Sequence, residues 1–197
     1  MAKKEIRVSC HLYPMPVVIV GAKKDDRANF MTAAFCGMVN IKPPVVVLGL
    51  EQHHFTTAGI RENGTFSVNL PSTSMVKVTD YCGLVSGHKH DKSGLFNIFY
   101  GKLETAPMIE ECPLTMECKL IQTVDFSPDG AFLGEIVAAY CDDEFMNGEL
   151  PDIEKLDPII FSMGENSYWN IGKKIGTAWS IGKDYINKAK LLTDSGS

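Results

Sequence analysis

Leu114-Thr115-Met116-Glu117-Cys118-Lys119-Leu120 alternates apolar and polar residues without interruption. That period of two sends one set of side chains to each face of a half-buried β-strand. Upstream, Thr65-Phe66-Ser67-Val68-Asn69-Leu70 alternates in the same way, and Pro16-Val17-Val18-Ile19-Val20-Gly21-Ala22 is a short β-branched run that reads as a buried strand ended by the polar turn Lys23-Lys24-Asp25-Asp26-Arg27. Lys42-Pro43-Pro44 imposes extended backbone just before Val45-Val46-Val47-Leu48-Gly49-Leu50, a further central strand. Downstream, Ala131–Cys141 and Asp157–Met163 have the same character, so β structure dominates the carboxyl half.

Helical segments are few. Thr56 is a natural N-cap type ahead of a two-turn helix over Thr57–Asn63, which Asn63-Gly64 ends; Ser74 caps a second short helix carrying Met75, Val78 and Cys82, with Gly83 as its left-handed exit. Asn29-Phe30-Met31-Thr32-Ala33-Ala34-Phe35-Cys36 neither alternates nor repeats helically, and it is expected to form a special loop or strand edge. Short strands with two or three short helices imply a closed antiparallel barrel or a sandwich.

The chain has 197 residues, 45% of them hydrophobic, which suits one compact domain with a buried core. The expected unit spans 1–197, with a core of about 8–183 and a tail over 184–197 whose apolar anchors are Leu191 and Leu192. A net charge of −5, with no long basic run, argues against nucleic-acid binding, which needs clustered Lys and Arg. No run approaches the ~18 apolar residues of a membrane span, and the stretch after Met1 lacks the apolar centre of a secretory signal, so a cytoplasmic protein is expected. Cysteines at 10, 36, 82, 112, 118 and 141 form no CxxC pair and read as free, mostly buried thiols.

Most motifs of catalysis are missing. The sequence contains no GxGxxG, HExxH or GxSxG, and Gly176–Asp184 has an extra residue before Gly-Lys and Asp184 where a phosphate loop needs Ser or Thr. His53-His54 and His88-Lys89-His90 put four imidazoles in two loops able to meet in space, yet their spacing matches no zinc pattern. Solvent-facing or phosphate-contacting imidazoles are the plainer reading. Glu110-Glu111 and Asp142-Asp143-Glu144 read as solvated turns rather than an acid and base. What remains is a distributed anion site: Thr32, Thr56, Thr57, Ser86, Gly87 and Lys92 bring hydroxyls, free N–H groups and one cation near strand ends. A helix beginning at Thr56 would aim its positive end at such an anion.

The succession Tyr13–Gly21, Asn29–Phe35, Pro43–Val47, Thr56 and Phe66–Pro71, followed by Ser86-Gly87, Asp91-Lys92, Asp157–Ile160 and Tyr168–Gly172, resembles the flavin reductase-like family, FMN-binding split-barrel proteins of the flavoredoxin type. The likeness spans roughly 8–183. It implies a mainly β fold, a six-stranded antiparallel split β-barrel with a few short helices, in a homodimer holding one FMN per subunit near the interface. In that pattern Asn29 and Thr32 lie on a loop against the flavin, Thr56 meets the ribityl-phosphate end and Lys92 pairs with the phosphate; Met31, Ala33, Phe35, His53, Ser86 and Gly87 complete the cofactor-binding set. The chain departs from the pattern at Phe35, where flavoredoxin-like relatives often carry Trp, leaving a smaller ring for stacking.

The resemblance further implies a flavin-dependent oxidoreductase. NAD(P)H is the expected electron donor and an unidentified protein or small molecule the acceptor, with hydride taken up at flavin N5, no catalytic side chain and no metal. Three other readings stay open: a non-enzymatic electron carrier, a flavin-free binding module on the same barrel, and a His-based metal-dependent enzyme.

Overall fold

The computed structural model describes residues 2–183 together with Tyr185, so the tail anchors Leu191 and Leu192 lie outside the described residues. Seven antiparallel strands form the main sheet: β1 (Val18–Lys24), β2 (Arg27–Ala33), β3 (Cys36–Ile41), β4 (Pro44–Glu51), β5 (Thr65–Leu70), β6 (Leu114–Asp125) and β7 (Asp129–Cys141). Their order is β2-β1-β5-β6-β7-β4-β3, and the sheet curls so that β2 reaches β4. This is a split barrel of the expected mainly β class, with seven strands where six were expected. The strand expected over Asp157–Met163 is shorter, Ile160–Ser162, and joins Met15–Pro16 and Ser167–Trp169 in a separate ribbon.

The inside of the curl is apolar. Val18, Val20 and Ala22 of β1, Met31 and Ala33 of β2, Val46, Leu48 and Leu50 of β4, Phe66, Val68, Cys118 and Phe132 close on one another, with Ile60 of helix α1 (Phe55–Asn63) packed among them. β1 and β2 are buried on their outer faces as well. Ile19, Ala28 and Phe30 pack against Cys82 of helix α2 (Val76–Leu84) and against Phe96, Ile109 and Cys112; the Phe30 and Phe96 rings meet edge to face at 5.2 Å. Burial on both faces removes the polar half of the alternation. That is why Asn29–Cys36, expected as a loop or edge, is mostly the second arm of a regular hairpin turned by Asp25 and Asp26, both at positive φ.

The two helices also start and stop differently from expectation. α1 is capped by His54 rather than Thr56 and ends at Gly64 in the left-handed conformation. α2 follows a 3-10 turn over Thr73–Met75 and runs through Gly83 to an extended Val85, so Ser74 is not its cap and Gly83 is no left-handed exit. All six cysteines are free thiols; three are buried, Cys36 and Cys141 are half-buried and Cys10 is exposed.

The alternation of Leu114–Leu120 holds, but on its polar face Thr115 and Glu117 are buried and only Lys119 is exposed. Glu117 is fully buried, and its carboxylate accepts hydrogen bonds from Lys102 N at 2.7 Å, Leu103 N at 2.6 Å and the Tyr140 hydroxyl at 2.7 Å. Along the same outer face Asn69 donates to Ile19 O and accepts from Ile109 N, while the Ser67 hydroxyl donates to Pro107 O. These polar groups tie the 96–113 excursion onto the barrel. Replacing Glu117 by Ala leaves two backbone N–H groups and the Tyr140 hydroxyl, all part-buried, without their acceptor, at a cost of about 1–3 kcal/mol. Urea unfolding of Glu117→Ala should therefore show a loss of that order; a change below about 1 kcal/mol would mean the excursion is held by apolar packing instead.

Candidate functional site

Outside the barrel, α1, α2 and β2 leave a seam. A cavity of about 190 Å³ opens there, and its lining includes Met31, Thr32, Thr56, Ser86, Gly87 and Lys92, six of the residues singled out in the sequence. His54 and Phe55 at the head of α1 and Cys82–Val85 at the end of α2 complete the wall. Thr32 lies on β2 rather than on a loop, and its hydroxyl donates to Thr79 O of α2.

Lys92 is the electrostatic centre of the seam. Only 2% exposed, it donates from Nζ to Cys82 O at 3.1 Å and Val85 O at 3.0 Å, two carbonyls at the end of α2. Among the described residues no carboxylate lies within 4 Å of the ammonium. Burial therefore holds its pKa below the ordinary lysine value, and the same burial pushes the Cys82 thiol up to about 11. A buried cation balanced only by carbonyl dipoles is suited to an incoming anion.

Opposite Lys92 stands the amino end of α1. Its first turn contains no acidic residue and its cap residue offers no side-chain acceptor, so the positive end of the helix is bare. Thr56 is 1% exposed and its hydroxyl accepts from Asn29 Nδ2 at 2.6 Å, which turns the oxygen by a bond from the buried strand β2. Asn29 thus supports the wall from behind, on a strand rather than a loop.

The third wall is the segment Ser86–Lys92, folded over Ser86 O, which accepts from Lys89 N and His90 N. Arg27 clips it in place: one guanidinium nitrogen donates to Gly87 O at 2.7 Å, the other lies 3.8 Å from Asp91, and the group stacks 4.6 Å above the Phe55 ring. The hydrogen bond from Ser93 N and the nearby Arg27 hold the Asp91 carboxyl below its usual range. The two histidine loops do meet, through His88 Nε2 and His53 O at 3.2 Å, so His53 enters the site by its backbone. Arg27 and Phe55 escaped the sequence reading, whereas His54 and His88 stood in it as imidazoles of two loops able to meet. The only signal was the cation beside the hairpin turn, which reads equally well as a solvated turn residue.

Two of the expected residues lie elsewhere. Ala33 is part of the barrel core. Phe35, 41% exposed, lines a second and more apolar cavity of about 760 Å³ with Leu12, Pro14, Met15, Cys36 and Val47. Among the described residues no group of three His, Cys, Asp or Glu side chains could hold a metal ion.

Fold and seam together define the class: a split barrel with a pocket outside its core that contains a buried lysine. The chain belongs to the flavin reductase-like domain family, whose pattern matches residues 10–163. It is 46% identical to the solved flavoredoxin of Methanosarcina acetivorans, with 93% of this chain and 100% of that chain covered at a TM-score of 0.89. Against the flavoredoxin of Desulfovibrio vulgaris (Miyazaki F) the identity is 33%, with 92% and 100% covered and a TM-score of 0.86. An uncharacterized protein of Aeropyrum pernix is 30% identical over 76% of this chain, which spans 58% of that relative. The function is accordingly flavin-related redox chemistry, and no helix among the described residues is long and apolar enough to cross a membrane.

Gly87 gives the geometry a direct check. A Cβ there would lie 2.6 Å from Asn29 Oδ1. Gly87→Ala must push the segment off Asn29, at an overpacking cost of about 1–3 kcal/mol. Hydrogen exchange across Ser86–Lys92 should accelerate in the variant; unchanged exchange and unchanged stability would show that the segment does not rest on Asn29.

Proposed function

We propose that the protein is a flavin-dependent oxidoreductase that holds FMN as a homodimer, takes electrons from NAD(P)H and passes them to a protein or small-molecule acceptor. One observation carries the reading: the buried Lys92 ammonium, without a carboxylate, faces the bare amino end of α1 across a cavity lined by Thr56, Ser86 and Gly87. That donor set fits a phosphate monoester. Lys92 would neutralise its charge, the first N–H groups of α1 and the Ser86-Gly87 backbone would donate to its oxygens, and Thr56, held by Asn29, would fix its orientation.

The cavity volume of about 190 Å³ lies below the roughly 300–1,000 Å³ of pockets that enclose a drug-sized ligand. A single chain therefore encloses the phosphate end only. Phe35, three residues beyond Thr32 and on the neighbouring apolar cavity, offers a wall for a ring. The rest of the enclosure falls to a second copy. Ile175 and Trp179, 95% and 96% exposed on the stretch after Trp169, are large apolar groups that association would cover.

When bound, the isoalloxazine ring supplies the redox chemistry, accepting a hydride at N5. The side chains bind and orient, which explains why the seam contains no paired acid and base. Visible absorption of the purified protein, anaerobic mixing with NADH and NADPH, and light scattering test the reading together. A flavin band, its bleaching by a reduced nicotinamide and a mass near twice 21.7 kDa are expected. A colourless protein that takes up no FMN would overturn it, and a yellow protein bleached by neither nucleotide would make it an electron carrier.

Lys92 also imposes a pH signature. Its depressed pKa in the free protein means that anion binding must draw a proton onto it at alkaline pH. FMN affinity should fall as pH rises through the free-protein pKa towards the ordinary lysine value. Over the same window the ligand-free protein gains stability, because the unfolded chain holds the proton longer. Lys92→Met should weaken FMN binding by about 1.5–3 kcal/mol, one to two orders of magnitude, and flatten the alkaline slope. Fluorescence titration at several pH values reads both; unchanged affinity removes Lys92 from the site.

A further inference from the structure

Lys92 and Thr56, the two side chains best placed to meet an anion in the seam, are 2% and 1% exposed. A phosphate cannot pack against surface that water itself barely reaches, so part of the wall must move before one binds. Three of the walls, α1, α2 and β2, are fixed by helix or sheet hydrogen bonds. The fourth, Ser86–Asp91, is not: among the described residues its only backbone-to-backbone bonds are its own, from Lys89 N and His90 N to Ser86 O. Segments tied down so thinly open far more readily than the whole fold unfolds.

A few side-chain contacts hold the segment in place. Arg27 donates to Gly87 O at 2.7 Å and lies 3.8 Å from Asp91, and its guanidinium covers the Phe55 ring. His88 meets that same ring edge to face at 5.2 Å, with Nε2 3.2 Å from His53 O. Between these ties Gly87 is buried against Asn29: a Cβ on it would stand 2.6 Å from Asn29 Oδ1, and Asn29 Nδ2 is the donor to Thr56. Directly after the segment comes Lys92, whose Nζ reaches back to Cys82 O and to Val85 O, the residue that leads into it. One displacement of Ser86–Asp91 therefore loosens the cover of both anion ligands. Residues 88–91 are exposed already, so lifting them gives up little beyond the ties just described.

We propose that Ser86–Asp91 is a gate over the anion end of the seam, latched by Arg27 and His88 against the amino end of α1, and that it must open for a phosphate group to reach or leave Lys92. The gate rests on the flavin reading only for the identity of what enters; its opening belongs to the ligand-free chain. Arg27 and His88 are then positioning residues, which act on the ligand through the segment and not by touching it.

Acetylation of the ligand-free protein with limiting acetic anhydride, followed residue by residue by peptide mass, reads the opening directly, because an amine must be uncovered to react. Lys92 should react at least about tenfold slower than exposed Lys119. Its depressed pKa favours the reactive neutral amine, so slowness there reports cover and not charge. Arg27→Gln should speed Lys92 about tenfold, through loss of a hydrogen bond from a charged donor, and His88→Ala about threefold or more. Alkylation of Cys118, sealed in the barrel core, reports global unfolding and should stay slow in all three proteins. In stopped flow, the rate of FMN uptake should level off with rising FMN at the opening rate, with a higher plateau in both variants. Lys92 as reactive as Lys119, labelling that neither variant speeds, Cys118 accelerating in step with Lys92, or uptake proportional to FMN without a plateau would overturn the gate. A protein that takes up no FMN, yet protects Lys92 and releases it in the variants, loses the flavin reading and keeps the gate.

Discussion

A carboxylate sealed from water, that of Glu117, sets the conditions for the rest of the molecule. A buried charge on a strand must find donors, and here it finds them in Lys102 N, Leu103 N and the Tyr140 hydroxyl. Those bonds fix the 96–113 excursion against β5 and β6. Once fixed, the excursion brings Phe96 onto Phe30 and Cys112 towards Cys82, which closes a second small core outside the barrel. That outer core seats α2 on β2. With α2 seated, its last carbonyls are where Lys92 buries its ammonium, and the seam acquires its charge.

How much of this the sequence carried depends on which contacts were local. Leu114–Leu120 showed its strand by periodicity alone, because alternation is a property of neighbours along the chain. The burial of its polar face was hidden, since Glu117 and Thr115 are covered by residues far off in sequence. The Asn29–Cys36 segment was unreadable for the converse reason: Phe30 faces α2 while Met31 and Ala33 face the barrel, so neither parity is polar. α1 starts at Phe55 behind His54, which makes no side-chain cap bond, and Thr56, the better cap type, lies inside the helix with its hydroxyl accepting from Asn29.

The site was legible in its chemistry and opaque in its geometry. Thr32, Thr56, Thr57, Ser86, Gly87 and Lys92 were joined as an anion site by residue type and position near strand ends, and all but Thr57, whose hydroxyl donates to Glu51 O, line one cavity. Arg27 could not be read, because its value lies in reaching Gly87 O and Asp91 some sixty residues away. Ala33 and Phe35 share a sequence neighbourhood with Thr32 and yet point elsewhere: Ala33, next to Thr32 on β2, takes the opposite face, and Phe35 lies beyond the strand end.

The placement of the seam also accounts for the economy of its side chains. The barrel interior is filled by Phe66, Phe132 and aliphatic groups, which leaves no room for a planar cofactor within it. A ligand must therefore lie on the outside, where water competes for every hydrogen bond. An exposed lysine would then add little, because surface ion pairs are worth at most about 1 kcal/mol. Burying Lys92 among carbonyls keeps water from the cation before any anion arrives, so its attraction is not screened when one does. The cost of that burial is borne by the outer core, and the outer core stands on Glu117.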